Sequence, residues 1–135
     1  MIERRLPTAP WATAAAVYLE DGSILSGICL DNFNSAAGLC AEAGPICSAY
    51  TENRQITASV CVNRAVDRAQ DLILAPCGVC QERLALWGPE VEVGVADRGS
   101  ATGWSSRRLA ELNPFYWAST FAENLRWPSQ AEHAE

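Results

Sequence analysis

The sequence predicts a three-layer α/β domain built on a mixed sheet, and three observations carry that reading. Apolar alternating stretches suited to strands take turns along the chain with stretches suited to helices. The first two strand-like runs flank E-D-G-S at 20–23, where Asp21-Gly22 marks a hairpin, so the sheet is mixed, not purely parallel. At 135 residues the chain is long enough to bury a core without staples, which makes residues 1–135 a single domain with a frayed tail from about 128.

The elements follow in order. Thr13 to Leu19 and Ile24 to Leu30 are the first two strands. Asp31 to Leu39 is polar, small and glycine-containing, hence a loop. A helix runs from Cys40 to about Glu52, with Gly44 and Pro45 tolerable in its first turns. Ile56, Ala58, Val60 and Val62 alternate with Thr57, Ser59 and Cys61 in a third strand. Leu72-Ile73-Leu74 is a connection leading to Pro76. Cys77 to Trp87 is a short helix ended by Gly88-Pro89, and Val91 to Ala96 a fourth strand. Thr102 to Ser105 adds a fifth. Ser106 to Leu112 is a helix stopped by Asn113-Pro114, before an aromatic-rich tail.

Sixteen acidic against ten basic side chains give a net charge of -6, which repels a polyanion and excludes polymeric nucleic acid as a partner. Arg107-Arg108 is read as a solvated helix face. The first ten residues, M-I-E-R-R-L-P-T-A-P, carry charge where a signal peptide needs an apolar run, and no segment approaches the ~20 apolar residues of a membrane span. The expectation is a soluble, cytoplasmic protein without a membrane partner. Of six cysteines, Cys29 and Cys61 lie in strand-like runs and read as core thiols.

The chemistry gathers at A-P-C-G-V-C-Q, 75–81. A C-x-x-C pair serves a thioredoxin-like redox couple, a closed four-ligand structural zinc site, or a catalytic zinc with three ligands and an open position. His133 is the only histidine and lies near the chain end, which excludes Ser-His and Cys-His nucleophilic schemes. G-L-C-A-E at 38–42 supplies Cys40 and, two residues on, Glu42. Cys40-Ala41-Glu42 with Pro76-Cys77-Gly78-Val79-Cys80 fits the three-cysteine form of the zinc deaminase signature. Each motif opens a helix, where free N–H groups and the helix dipole favour thiolates. Cys47, seven residues after Cys40, is ~10 Å along a helix axis from it, too far to share the metal, and reads as a core thiol.

At these residues the chain resembles the cytidine deaminase family, including its blasticidin S deaminase branch. The resemblance covers most of the chain, through E-D-G-S, G-x-x-x-D-N at 27–32, C-A-E at 40–42, P-C-G-x-C at 76–80 and E-L-N-P at 111–114. It implies a five-stranded mixed sheet between helices, one Zn²⁺ per chain on Cys40, Cys77 and Cys80, and Glu42 as catalytic base and then acid. It implies a homo-oligomer, a tetramer with shared active sites, acting on a small-molecule aminopyrimidine or nucleoside. Substrate-binding positions carried over are Trp11, Asp31, Phe33, Ala41 and Trp117.

The implied reaction converts the ring amino group of cytidine, deoxycytidine or a relative to a carbonyl with release of ammonia. Deamination of a blasticidin S-type antibiotic or of a free base stays open, as does a purely structural zinc domain. The family's Asn-x-Glu-Asn reads Cys29-Leu30-Asp31-Asn32 here, the arginine after the catalytic Glu is Ala43, and Arg-Gln after the last cysteine is Gln81-Glu82. Arg83 is a candidate to offset the thiolate charge. The helix before the first strand is missing or much reduced.

Overall fold

The structure is a computed structural model and describes residues 1–122 and Trp127. His133 and the tail expected from about 128 lie outside the described residues. α1 (Ile2–Arg5), one short turn of helix, precedes the hairpin of β1 (Trp11–Leu19) and β2 (Ile24–Ile28). Gly22 turns it with φ 83, a conformation open to glycine at little cost. After a 3₁₀ turn at Ser35–Ala37 come α2 (Ala43–Thr51), β3 (Ile56–Ala65), β4 (Leu72–Leu74) and α3 (Gly78–Leu84), which a 3₁₀ turn at Ala85–Trp87 extends. β5 (Glu92–Ala96), β6 (Trp104–Arg108), α4 (Leu109–Leu112) and a 3₁₀ turn at Trp117–Phe121 follow.

The strands form one mixed sheet in the order β2-β1-β3-β5-β6, with β3 and β5 parallel and the other pairs antiparallel. The expected mixed α/β class holds, and the sheet has a sixth strand. Leu72-Ile73-Leu74 is no mere connection: it pairs with Asn63, Val62 and Cys61 along β3. Three-residue strands have too little pattern to register in sequence. Ser106–Arg108 is extended as well, held against Gly94, Val93 and Glu92, so the last helix shrinks to α4.

Register assigns the faces. Thr13, Ala15 and Val17 of β1 lie level with Asn63, Cys61 and Ser59 of β3 on one face. That face carries the helices: Val17 and Leu19 pack with Ile46 and Ala49 of α2, Leu84 of α3, Ile56, Val93 and Leu109. Ala58, Val60 and Val62, on the opposite face, are only half-buried. A register shift after Tyr18 returns Ile56 to the helix-covered side, opposite Leu19. Arg54, just after α2, locks the hairpin to this core through Asp21 Oδ2 at 2.6 Å, and its carbonyl accepts Trp87 Nε1 at 3.0 Å.

Two thiols depart from expectation. Cys47 is exposed, because α2 buries Ala43, Pro45, Ile46 and Ala49 and turns Cys47 to solvent. Cys61 is 5% exposed as expected, whereas Cys29 is only half-buried.

Candidate active site

Two short segments meet at one end of the sheet. Cys40–Glu42 precedes α2 instead of lying within it, because Leu39 is bridged to Leu30 in both directions at 3.0 Å and the chain turns through Ala41 and Glu42 before the helix begins at Ala43. Gly27 of β2 is what lets this turn sit down: the Ala41 carbonyl and the Pro45 ring occupy the place where a side chain at 27 would stand. Cys77 caps α3 and Cys80 lies in its first turn, fully buried. Gln81 Nε2 donates back to the Pro76 carbonyl at 2.9 Å, fixing the loop before the helix.

Cys40, Cys77 and Cys80 thereby place their sulfurs within 4.8 Å of one another, and Cys40 Sγ lies 3.7 Å from Cys77 Sγ. All three thiols are free, at a separation far beyond the ~2.05 Å of a disulfide. Tetrahedral Zn–S bonds of ~2.3 Å give an S···S edge of roughly 3.8 Å, so the spacing and the soft donor set both fit zinc. The set is open on one side, since Cys77 is exposed and Cys40 half-buried while Cys80 closes the back. Among the described residues no fourth His, Cys, Asp or Glu joins the group.

The electrostatics call for a cation. Burial, then the Cys77 thiol, raises the pKa of Cys40; burial, then the negative charges of Glu42, Cys77 and Cys40, pushes Cys80 far up. Cys77 runs the other way. Burial opposes its ionisation, but the backbone N–H groups of Cys80 and Val79 and the Cys40 thiol together bring it below the ordinary thiol value, without a formal cap bond. Arg83 Nη1 approaches Cys80 Sγ at 3.9 Å, so the guanidinium proposed from sequence does face a sulfur. A bound cation would offset the burial and the mutual repulsion that oppose ionisation of Cys40 and Cys80.

Glu42 is 4% exposed, one of two buried polar side chains among the described residues. It stands two residues after Cys40, immediately before α2, and its charge acts on Cys40, Cys61 and Cys80. Burial and that charge push Cys61 up to about 12. Ala41 is 1% exposed and packs with Ala15 and Cys61 as the floor of the site.

The other positions expected to bind substrate are not gathered so tightly. Trp11 opens β1, level with Ala65 and more than half exposed, on the same face as Thr13. Asp31 is exposed, and Phe33 stands fully in solvent. Trp117 is tied to its own chain: its Nε1 donates to both oxygens of Glu82 at 3.1 and 3.3 Å, and Tyr116 donates to the same carboxylate at 2.9 Å. Gly27 and Cys61 also build the site, and neither had been assigned to it; a glycine inside a strand is the signal that marks such a close approach.

A crystal structure of cytidine deaminase from Bacillus anthracis superposes with a TM-score of 0.82 at 35% identity, covering 92% of this chain and 86% of that one. The chain belongs to the cytidine deaminase family. The crystal structure of cytidine deaminase from Mycobacterium tuberculosis is more distant, with a TM-score of 0.60 and 26% identity over 83% of each chain. In sequence, cytidine deaminases of M. tuberculosis and Halalkalibacterium halodurans are 29% and 28% identical over 80 residues, 58% and 59% of this chain. These matches span little more than half the length of the curated relatives, 56% and 58%. No family model matches the chain. Among the described residues no helix is long and apolar enough to cross a membrane.

Proposed function

We propose that this protein is a zinc-dependent hydrolytic deaminase acting on cytidine, deoxycytidine or a related aminopyrimidine nucleoside. The observation that carries the reading is three converging thiols beside a buried carboxylate in a chain of the cytidine deaminase family. Cys40, Cys77 and Cys80 would hold one Zn²⁺, which when bound supplies a Lewis acid that acidifies a water. Glu42 accepts the proton from the attacking water and hands it to the ring nitrogen next to the amine-bearing carbon. It then moves the remaining proton, from the hydroxyl now on that carbon, to the exocyclic amine, the C–N bond breaks, ammonia leaves and the ring carbon keeps the oxygen as a carbonyl. Burial keeps bulk water from competing for those protons. The exposed rings of Phe33, Phe115, Trp117 and Phe121 favour a homo-oligomer, which light scattering would measure.

A closed structural zinc site is the weaker reading, because among the described residues no fourth ligand joins the three thiols, and Cys47, the candidate the sequence offered, is exposed. The test is ammonia release by zinc-loaded protein offered cytidine, deoxycytidine, cytosine or blasticidin S. Turnover of one of them, reduced about 10²–10⁴-fold in Glu42→Gln, is the expected result. Equal activity in Glu42→Gln, or silence on all four, would overturn the assignment.

A further inference from the structure

One arginine near the site is held by neutral partners alone. Asn63, toward the end of β3, donates from Nδ2 to Thr13 Oγ1 at 2.7 Å and to the Ala12 carbonyl at 3.5 Å. Its amide oxygen accepts from Arg68 Nη2, reaching back from the 66–71 connection between β3 and β4. The other terminal nitrogen, Arg68 Nη1, is sealed from solvent with no hydrogen-bond partner. Arg54, Arg107 and Arg108 all sit on carboxylates. Arg68 pairs with none among the described residues. A guanidinium desolvated on one side without an acceptor is costly, and a fixed fork with one tooth unused suits an arriving anion.

Register gives its distance from the chemistry. Thr13, Asn63 and Cys61 share the face that carries the thiol site. Cys61 packs on Ala41, next to Glu42, and Asn63 stands two residues further, ~7 Å along the strand. The Asn63 amide that the guanidinium bonds therefore lies one pleat beyond the floor of the site, against Thr13, whose carbonyl accepts the Cys29 N–H at 3.0 Å. A pyrimidine with its amine at the thiol end would extend its sugar this way. Cys29 there offers a sugar hydroxyl no carboxamide. Val66, Asp67, Ala69, Gln70 and Asp71 are all exposed, so Arg68 is carried on a surface segment, where a rotation of its guanidinium would present Nη1.

We propose that Arg68, positioned by Asn63 and Thr13, is a specificity residue that binds an anionic group, carboxylate or phosphate, on the sugar side of the substrate. This rests on the deaminase reading above. The test is calorimetric binding to zinc-loaded protein in the Glu42→Gln background, where ligands are not consumed. The probes are cytidine, cytidine 5′-monophosphate and the cytosine nucleoside whose 5′ carbon is a carboxylate. At least one anionic probe is expected to bind roughly tenfold or more tighter than cytidine, and which one names the anion. Adding Arg68→Gln should bring that ratio close to one, and Arg68→Lys should restore part of it, which a merely structural arginine would not do. Equal binding of all three probes, or a ratio unchanged by Arg68→Gln in folded protein, would overturn the assignment of Arg68 while leaving the deaminase reading intact. Failure of every probe to bind zinc-loaded protein would overturn both.

Discussion

Replacing Gly27 by alanine would drive a methyl group into the turn that carries Cys40 and Glu42. An ideal Cβ at 27 lies 2.4 Å from the Ala41 carbonyl oxygen and 2.6 Å from Pro45 Cδ, short of ordinary contact at 3.4 Å by 1.0 and 0.8 Å. Neither obstacle is the loose end of a side chain: one is backbone, the other a proline ring in the first turn of α2. The segment must therefore move by about 1 Å, several times the ~0.2 Å latitude of a metal–sulfur bond. Overpacking of this kind costs about 1–3 kcal/mol, which in a domain of this size lowers Tm by roughly 3–15 °C. A 1 Å misplacement of Glu42 costs on the order of 10² in turnover. Thermal melting, zinc per chain and ammonia release read the three effects separately. A Gly27→Ala protein that melts within a degree of the parent, holds one zinc and turns over at the parent rate would refute this account of how the site is positioned.

Other outcomes follow from the same geometry. Chelation should lower the Tm of the zinc-loaded protein, by the equivalent of about 4 kcal/mol where free zinc had stood a thousandfold above its Kd, and should leave the Tm of Cys80→Ala unchanged. Cys47→Ser should keep one zinc per chain and parent stability within about 0.5 kcal/mol, because the thiol faces solvent. Asp21 is held at about 2, below the ordinary 3.8, by the Ser23 side chain, the Ser23 N–H and the Arg54 guanidinium. Its folded pKa is lowered, so the stabilisation is full above the unfolded value and is lost as pH falls from near 4 toward 2. The Tm gap between parent and Asp21→Asn should be constant at neutral pH and close in that window.

Much of the site was legible because coordination chemistry dictates residue type and spacing. Cys40-Ala41-Glu42 and Pro76-Cys77-Gly78-Val79-Cys80 need those side chains at those intervals, and the structure brings the three sulfurs together. Asp21-Gly22 was equally plain, since few residues accept the turn it makes. What escaped notice depends on neighbours remote in sequence. β4 exists only because the free edge of β3 accepts it beyond the point where β5 begins. Ser106-Arg107-Arg108 carries no strand pattern, yet an edge strand tolerates charge, and β5 supplies the pairing that propensity does not. Cys47 is apolar enough for a core, and only the rotational setting of α2 decides that it faces outward. Arg68 lay in a segment to which the sequence assigned no element, and its partner Asn63 meets Thr13 only once β1 and β3 have paired.

The three sulfur donors are divided by β3. Cys77 and Cys80 are near neighbours in sequence and are available to a metal in an unfolded chain, but Cys40 lies 37 residues before Cys77, on the far side of the strand that fills the middle of the sheet. Closing that loop is entropically opposed until β1 and β3 have zipped together. An ion that arrives early meets two donors and is held weakly; one that arrives late meets three and is held firmly. If the three thiols hold zinc as proposed, tight metal retention would be a seal on completed assembly rather than a nucleus for it, and chains stalled before the central strand inserts would be distinguishable by their failure to keep the ion.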